Sequence, residues 1–195
     1  IVGSPEAVGE AAFQGIKRAS EVLDMSQHSG THPRMGATDV CPFIPVSDVT
    51  IQECVELSKQ VGQRVGDELR TPVYLYEKSA QKDNRVKLPD IRKGEYEGFA
   101  EKLTDPNWEP DFGPAKLHMK AGATVMGCRE FLIAYNINLN TKDHRLATDI
   151  AFELREAGRS KRTPNPNSKN LLDGEIVRNE DGSPEKVPGM FKDVK

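Results

Sequence analysis

Cysteine is scarce in this sequence, and so are the features of a secreted or membrane-spanning chain. The three cysteines, Cys41, Cys54 and Cys128, are scattered and odd in number, so they match neither a disulfide framework nor the paired spacing of a zinc site. We expect reduced, mostly buried thiols. No apolar run approaches the roughly 20 residues that cross a bilayer, and the first residues lack the pattern of a signal peptide. The sequence therefore favours a cytoplasmic protein with no membrane partner.

A strong excess of charge of one sign is also missing. The net charge is -3 and the pI is about 5.9, which gives no overall attraction to nucleic acid or to an anionic membrane. An anionic ligand must therefore be held by local positive groups. With 36% hydrophobic and 29% charged residues in 195, the chain is long enough for one domain with a real core, with or without an extension.

Helical and strand patterns alternate along the chain, which predicts an α/β fold with helices packed on a sheet. Ser4 and Pro5 are typical of a helix start, and apolar spacing carries this helix over 5–24. Thr50 and Glu53 form a capping box for a second helix over 51–69. A third helix is predicted over 142–157, with Gly158 as its end.

Four short segments have the composition of strands. Their predicted bounds are 40–46, 72–76, 123–127 and 131–139, and the last two are predicted to be antiparallel neighbours. Residues 78–121 are predicted to form a shaped loop with short helical patches near 89–93 and 96–103. Residues 159–195 contain four prolines and few apolar residues. We interpret them as a polar linker, or as a hairpin extension with its turn at Asp181–Gly182, following one subdomain over 1–158.

The segment around His32 is the main candidate for chemistry. Pro33 biases this histidine toward an extended conformation, and Gly30 and Gly36 permit unusual backbone geometry, so we expect the imidazole to lie on a loop. Histidine side chains accept and return protons near neutral pH, as acyl-type or imidoyl-type transfer requires. The alternative is a loop histidine satisfied by local hydrogen bonds. A metal site with His28 is rejected, because a helix is improbable there and no third ligand is evident.

The run from His32 to Val46 resembles the active-site segment of the glutamate formiminotransferases. The likeness continues, in order and at similar spacing, over roughly residues 1 to 160. It is carried by Pro72–Tyr76, Leu88–Glu97, Pro110–Pro114, Gly122–Thr124 and Phe131–Ala134. The chain resembles the N-terminal formiminotransferase subdomain, as it also occurs in formiminotransferase-cyclodeaminases.

This resemblance implies a ferredoxin-like subdomain with a mixed sheet. In the family, the first strands lie upstream of the residue that matches Ile1, and a second folate-contacting subdomain follows. We therefore expect a fragment that lacks those strands and is nearly inactive alone, with 159–195 leading toward the second subdomain. The resemblance also implies a homo-oligomer through the parent enzyme.

The activity that the resemblance implies is transfer of the formimino group from N-formiminoglutamate to N5 of tetrahydrofolate, in histidine degradation. Tetrahydrofolate is then a co-substrate, and no metal is required. His32 matches the catalytic acid-base residue of the family. One imidazole would take a proton from the attacking nitrogen and give one to the departing glutamate nitrogen. A relative that uses 5-formyltetrahydrofolate and a non-catalytic folate-binding or assembly module are the alternatives.

Other residues are candidates for binding. Arg34 is predicted to bind a substrate carboxylate through a bidentate fork, and Asp39 to orient the imidazole. The alternative is that Arg34 is a solvated loop cation and that Asp39 is a hydrogen-bond acceptor at a turn or strand end. Asn136 and Asn138 share one face of the predicted strand. They would bind the pterin, and the alternative is that this face is simply exposed to solvent. By position, the folate-contacting loop of the family matches Gly113, Pro114, Ala115, Lys116, Leu117, His118, Met119, Lys120, Ala121 and Gly122.

Overall fold

The computed structural model describes residues 1–134 and 136–192. It divides into two compact units, Ile1–Leu132 and Ile133–Lys195, each of which is described by itself. Tyr135, in the predicted fourth strand, and residues 193–195, at the end of the predicted extension, lie outside the described residues. None of the helices within the described ranges combines the length and apolar character needed to span a membrane. The predicted boundary between residues 158 and 159 stays a prediction.

The first unit contains four helices and three strands in its described residues. Along the chain they are α1 Pro5–Val22, β1 Val40–Phe43, α2 Ile51–Glu68, β2 Val73–Glu77, α3 Leu88–Arg92, α4 Phe99–Lys102 and β3 Thr124–Cys128. Single 3-10 turns lie at Asp83–Arg85 and Pro106–Trp108.

Both long helices begin at the predicted caps. The Ser4 side chain accepts from the Ala7 amide at 3.4 Å. Thr50 and Glu53 form both bonds of the capping box, at 3.2 Å and 2.8 Å. Because these contacts satisfy amide groups that have no partner inside the helix, they set where α1 and α2 start.

The three strands lie in the order β1-β3-β2 and are all parallel. Val125 of β3 is opposite Val40 on one side and Tyr74 on the other. The α/β prediction is confirmed. The ferredoxin-like arrangement stays a prediction, since it needs antiparallel strands beside these three. β1 is an edge of this sheet, which suits Pro42, because proline has no amide to donate to a second neighbour.

The predicted strand over 131–139 is wrong for the residues described. Residues 131–134 and 136–139 are irregular and exposed, and Ile133 is 90% exposed. The physical reason is the position of β3. Both of its edges are already paired, with β1 and β2, so a following strand finds no free edge on it. Asn136 and Asn138 therefore do not share a strand face.

Strand alternation divides the core between the two faces of the sheet. The helix face is covered by α1 and α2 and buries Phe13, Ile16, Val65, Val73, Leu75 and Met126. The loop face is covered by segments that include α3 and α4, and it buries Met35, Tyr74, Tyr76, Ile91, Phe99 and Val125.

A buried cation anchors the loop face. The Arg85 side chain is fully buried, and its Nη1 lies 3.0 Å from the Asp111 carboxylate. Its Nη2 donates to the carbonyls of Asn107, at 2.8 Å, and Glu109. Asp111 also accepts from the Leu75 amide at 2.8 Å. These bonds fix the chain near 105–112 against the sheet, just before the predicted folate loop.

The second unit contains α5 His144–Leu154, which Asp143 caps, and the antiparallel pair β4 Arg159–Ser160 and β5 Lys186–Val187. A further bridge joins Arg178 to Pro184. Between them Gly182 has a φ of +80°, which fits the predicted turn at Asp181–Gly182 because glycine adopts positive φ without strain.

Candidate functional site

Three segments of the first unit meet at the edge of the sheet where the parallel strands begin. The histidine loop, residues 24–39, leads into β1. The predicted folate loop, residues 113–122, leads toward β3. The third segment, residues 92–97, starts at the last residue of α3 and is called here the glutamate segment. The predicted catalytic residue and the predicted folate contacts thus belong to neighbouring loops.

Backbone hydrogen bonds join the histidine loop to the folate loop. The Met25 amide donates to the Lys120 carbonyl at 2.9 Å, and the Ala37 amide to the Ala121 carbonyl at 2.9 Å. The two segments approach each other so closely at Gly36 that a Cβ there would lie 2.2 Å from the Ala123 carbonyl oxygen. Only glycine permits this approach. The two loops therefore form one unit of structure.

The His32 side chain is exposed, and its Nδ1 lies 2.9 Å from the Pro33 carbonyl oxygen. A carbonyl oxygen only accepts, so this contact places the proton on Nδ1 and leaves Nε2 with a lone pair. His28 and His118 differ, because their Nδ1 atoms accept, from Arg34 Nε at 3.4 Å and from the Ala121 amide at 3.0 Å. Neutral His28 and His118 therefore carry the proton on Nε2, whereas His32 offers a basic ring nitrogen.

The guanidinium of Arg34 binds carboxylates of the chain itself. Its Nη2 is 2.7 Å from Glu97 Oε1, and its Nη1 is 3.0 Å from Glu95 Oε2. The hydrogen bond from Arg34 holds the pKa of Glu97 down, at about 2. The predicted fork to a carboxylate is thus present, with glutamates of the chain as the acceptors. Binding of a substrate carboxylate by Arg34 stays a prediction.

Asp39 lies at the end of the histidine loop, and both of its oxygens are engaged. Oδ1 accepts from the Met35 amide at 2.8 Å, and Oδ2 pairs with Arg92 of α3. The structure therefore links Asp39 to the loop backbone and to α3. A direct role in orienting the imidazole stays a prediction.

The folate loop is held at both ends by close backbone contacts. Gly113 has a φ of +80°, and a Cβ there would lie 2.5 Å from the Thr71 carbonyl oxygen. Gly122 has a φ of +70°. Lys116 and Lys120 are both exposed, and the Lys120 ammonium donates to the Glu21 carbonyl at 2.6 Å, near the end of α1. Lys120 is thus tied to the end of α1, and both lysines are exposed positive groups of the folate loop.

Two predicted contacts belong to the second unit. Asn136 and Asn138 are exposed residues there. A pterin contact by these side chains stays a prediction.

Sequence reasoning singled out no side chain of the glutamate segment. Arg92 pairs with Asp39, the Tyr96 hydroxyl donates to the Met119 carbonyl at 2.5 Å, and two glutamates bind Arg34. The sequence contained one signal of this pairing. Two acidic residues flank Tyr96, and Arg34 of the histidine loop has no acidic residue next to it in the sequence. Only the fold brings these oppositely charged side chains together across 61 and 63 positions of sequence.

The opposite edge of the sheet carries an apolar cleft of about 590 Å³. It is lined by Ile1–Pro5, Val8, Pro42–Ile44, Val46–Val49, Glu53, Cys54, Leu57 and Phe131. None of the predicted site residues lines it. Ligands of open parallel sheets usually bind where the strands end, whereas the histidine loop lies where they begin.

Comparison with known proteins gives a consistent result. The family model described as formiminotransferase domain, N-terminal subdomain, matches residues 1–129. Glutamate formimidoyltransferase of Streptococcus pyogenes serotype M1 is 51% identical over 158 residues, which cover 81% of this chain and 53% of that protein. Its counterpart in Thermoplasma acidophilum is 47% identical over 157 residues, covering 80% of this chain and 51% of that protein.

A longer relative matches the same part of the chain. Formimidoyltransferase-cyclodeaminase of Mus musculus is 54% identical over 165 residues, covering 84% of this chain and 30% of that protein. The chain spans about half the length of the curated glutamate formimidoyltransferases that it matches.

Proposed function

The chain belongs to the formiminotransferase domain family, as its N-terminal subdomain, and from that premise we propose that it serves in formimino transfer. The donor is N-formiminoglutamate and the acceptor is N5 of tetrahydrofolate. The products are 5-formiminotetrahydrofolate and glutamate, in histidine degradation. The protein is then a one-carbon group transferase with tetrahydrofolate as co-substrate, and the proposal involves no metal.

One observation carries the proposal for the catalytic residue. The His32 ring donates from Nδ1 to Pro33 and leaves Nε2 as a base, on an exposed loop that is hydrogen-bonded to the folate loop. The relatives named as formimidoyltransferases support the choice of reaction.

In the proposed mechanism, N5 of tetrahydrofolate attacks the formimino carbon and forms a tetrahedral adduct. His32 Nε2 takes the proton that N5 loses. The resulting imidazolium returns that proton to the glutamate nitrogen as the bond from carbon to this nitrogen breaks. General acid-base help of this kind is worth about 100-fold to 10,000-fold, and alignment of the two substrates adds to it.

Binding roles follow from the loops around His32. We assign the folate contact to the loop from Gly113 to Gly122, where Lys116 is accessible to an anionic glutamyl tail. Arg34 and Asp39 belong to the same site as supporting residues, and substrate contacts by Asn136 and Asn138 complete the proposal.

The finer architecture is part of the proposal. The three parallel strands would belong to a ferredoxin-like mixed sheet within one subdomain over 1–158, with 159–195 as a linker or hairpin extension. We place the whole protein in the cytoplasm as a homo-oligomer, with small-molecule substrates and no nucleic-acid or membrane partner.

The test uses the longest natural chain that contains these residues. We expect formation of 5-formiminotetrahydrofolate from N-formiminoglutamate and tetrahydrofolate, and a loss of about 100-fold to 10,000-fold in kcat for His32→Ala. His144→Ala, which changes an exposed histidine of the second unit, is the matched control and should keep full activity. Undiminished turnover by folded His32→Ala would remove this residue from the mechanism. Binding of tetrahydrofolate without turnover by the unmodified protein would favour a non-catalytic folate-binding module.

A further inference from the structure

The guanidinium of Arg34 has five N–H groups, and the chain supplies an acceptor for each. Nε donates to His28 Nδ1 at 3.4 Å. Nη1 donates to Glu95 Oε2 at 3.0 Å and to Glu97 Oε2 at 2.9 Å. Nη2 donates to the His28 carbonyl at 3.0 Å and to Glu97 Oε1 at 2.7 Å. The Arg34 side chain is only 11% exposed, so no N–H group is left for a ligand.

One of these acceptors, the His28 carbonyl, closes a small ring of chain that contains His32. The bond from Arg34 Nη2 to the His28 carbonyl joins the two ends of the segment 28–34, and His32 lies inside that segment. The imidazole is therefore carried on a loop whose ends are tied together by the Arg34 side chain.

The remaining acceptors tie this ring to the glutamate segment. The Tyr96 amide donates to the Arg34 carbonyl at 3.0 Å, in addition to the two glutamate contacts. Glu95 has a φ of +54°, a conformation that costs free energy for a residue with a Cβ, and its contact with Arg34 helps to hold it there. The glutamate segment in turn reaches the folate loop, because the Tyr96 hydroxyl donates to the Met119 carbonyl.

We propose that Arg34 is a positioning residue, which fixes His32 relative to the folate loop by clamping the segment 28–34 to Glu95 and Glu97. The inference rests on the proposed function for the identity of the reaction. It assigns Arg34 a role different from direct binding of the substrate carboxylate. The Glu97 carboxylate is ionised near neutral pH, because the hydrogen bond from Arg34 lowers its pKa to about 2.

The two roles of Arg34 predict opposite effects of Glu97→Gln. For a positioning residue, the substitution loosens the clamp, so kcat falls about tenfold and KM for N-formiminoglutamate stays within about threefold of its original value. For a substrate-binding arginine, the substitution frees the guanidinium, so KM falls and kcat is unchanged. Arg34→Gln should lower kcat about 100-fold with little change in KM. A rise in KM at unchanged kcat would overturn the proposal.

Glu101→Gln is the matched control. Glu101 is an exposed residue of α4 and makes no ion pair in the part of the chain that the structure describes, so its substitution should change neither constant. A loss of kcat for Glu101→Gln equal to that for Glu97→Gln would refute the clamp, because it would show that any lost surface carboxylate has this effect.

A structural readout separates this inference from the proposed function. On the 195-residue chain, Glu97→Gln should speed hydrogen exchange at the Tyr96 amide about tenfold, and leave exchange at the Val125 amide in β3 unchanged. Unchanged exchange at Tyr96 would overturn the clamp even if the protein transfers formimino groups. The converse outcome is that the unmodified protein transfers no formimino group while Glu97→Gln still speeds exchange at the Tyr96 amide. That result would support the clamp and refute the proposed function.

Discussion

Both faces of the parallel sheet bury apolar side chains, but they differ in how their covering segments are held in place. The helix face buries aliphatic side chains and Phe13 under two long helices, so its stability comes mainly from apolar area removed from water. The loop face has short helices and irregular chain, and fixes them with directed contacts such as the pair between Arg85 and Asp111. Directed contacts hold irregular segments at defined positions, and the loops of the candidate site, at the edge where the strands begin, are held in the same way.

Arg85→Met should have the largest effect on stability. It leaves the Asp111 carboxylate buried beside β2 without its cation, and breaking a buried pair in this way costs about 3 to 5 kcal/mol. Urea unfolding of the chain measures the loss. Arg18→Met is the matched control, because the Arg18 side chain is 72% exposed and its change should stay within about 0.5 kcal/mol. A loss for Arg85→Met as small as that of the control would show that the loop face does not depend on this pair.

Val65→Ala tests the helix face and should cost less. Val65 of α2 is fully buried, and removing its two methyl groups forfeits about 2 kcal/mol of burial and packing. The control is Val22→Ala at the end of α1, where the side chain is 53% exposed. Equal unfolding free energies for the two variants would contradict the view that apolar burial stabilises this face.

Alkaline pH should weaken the helix face through Cys128. Burial raises the pKa of this thiol to about 11, so the folded state holds its proton more tightly than the unfolded state does. The corresponding stability is complete below about pH 9 and is lost as the pH rises toward about 11. Unfolding free energies measured from pH 8 to pH 11 should fall less steeply for Cys128→Ala than for the original chain. Identical slopes would argue against this assignment.

Two glycines of α1 give the smallest predicted effect. Gly15 is exposed, and a Cβ there meets nothing within 4 Å, so Gly15→Ala should stabilise the chain by about 0.5 to 1 kcal/mol through helix propensity. At Gly9 a Cβ would lie 2.9 Å from Leu57 Cδ1, and the contact with α2 should offset that gain. Thermal unfolding of both variants measures the difference. A larger gain for Gly9→Ala would show that α1 and α2 have room to separate.

Local sequence signals predicted the helix face well. Ser4 and the capping box at Thr50 located the starts of α1 and α2, because cap contacts involve residues within one turn of the helix. Short apolar runs located β1, β2 and β3 to within a few residues. The strand predicted over 131–139 failed because a period-two apolar pattern does not report whether a sheet edge is free.

The candidate site was predictable only in part. Pro33 and the neighbouring glycines indicated that His32 lies on a loop, and the structure has it there. The contacts of Arg34 with Glu95 and Glu97 were not predictable from spacing, since they depend on how the glutamate segment folds back. Long-range pairing of charged side chains leaves no periodic mark in a sequence.

The central place of β3 also dictates an order of assembly. β1 and β2 each pair with β3 and not with each other, so the sheet forms only when residues 124–128 insert between them. During synthesis on a ribosome, the earlier strands must wait for that last piece to emerge. The histidine loop gains its backbone hydrogen-bond partners at 120–123 at nearly the same stage of synthesis. A nascent chain that stops before this point would therefore contain His32 but lack the folate loop that holds the histidine loop in place.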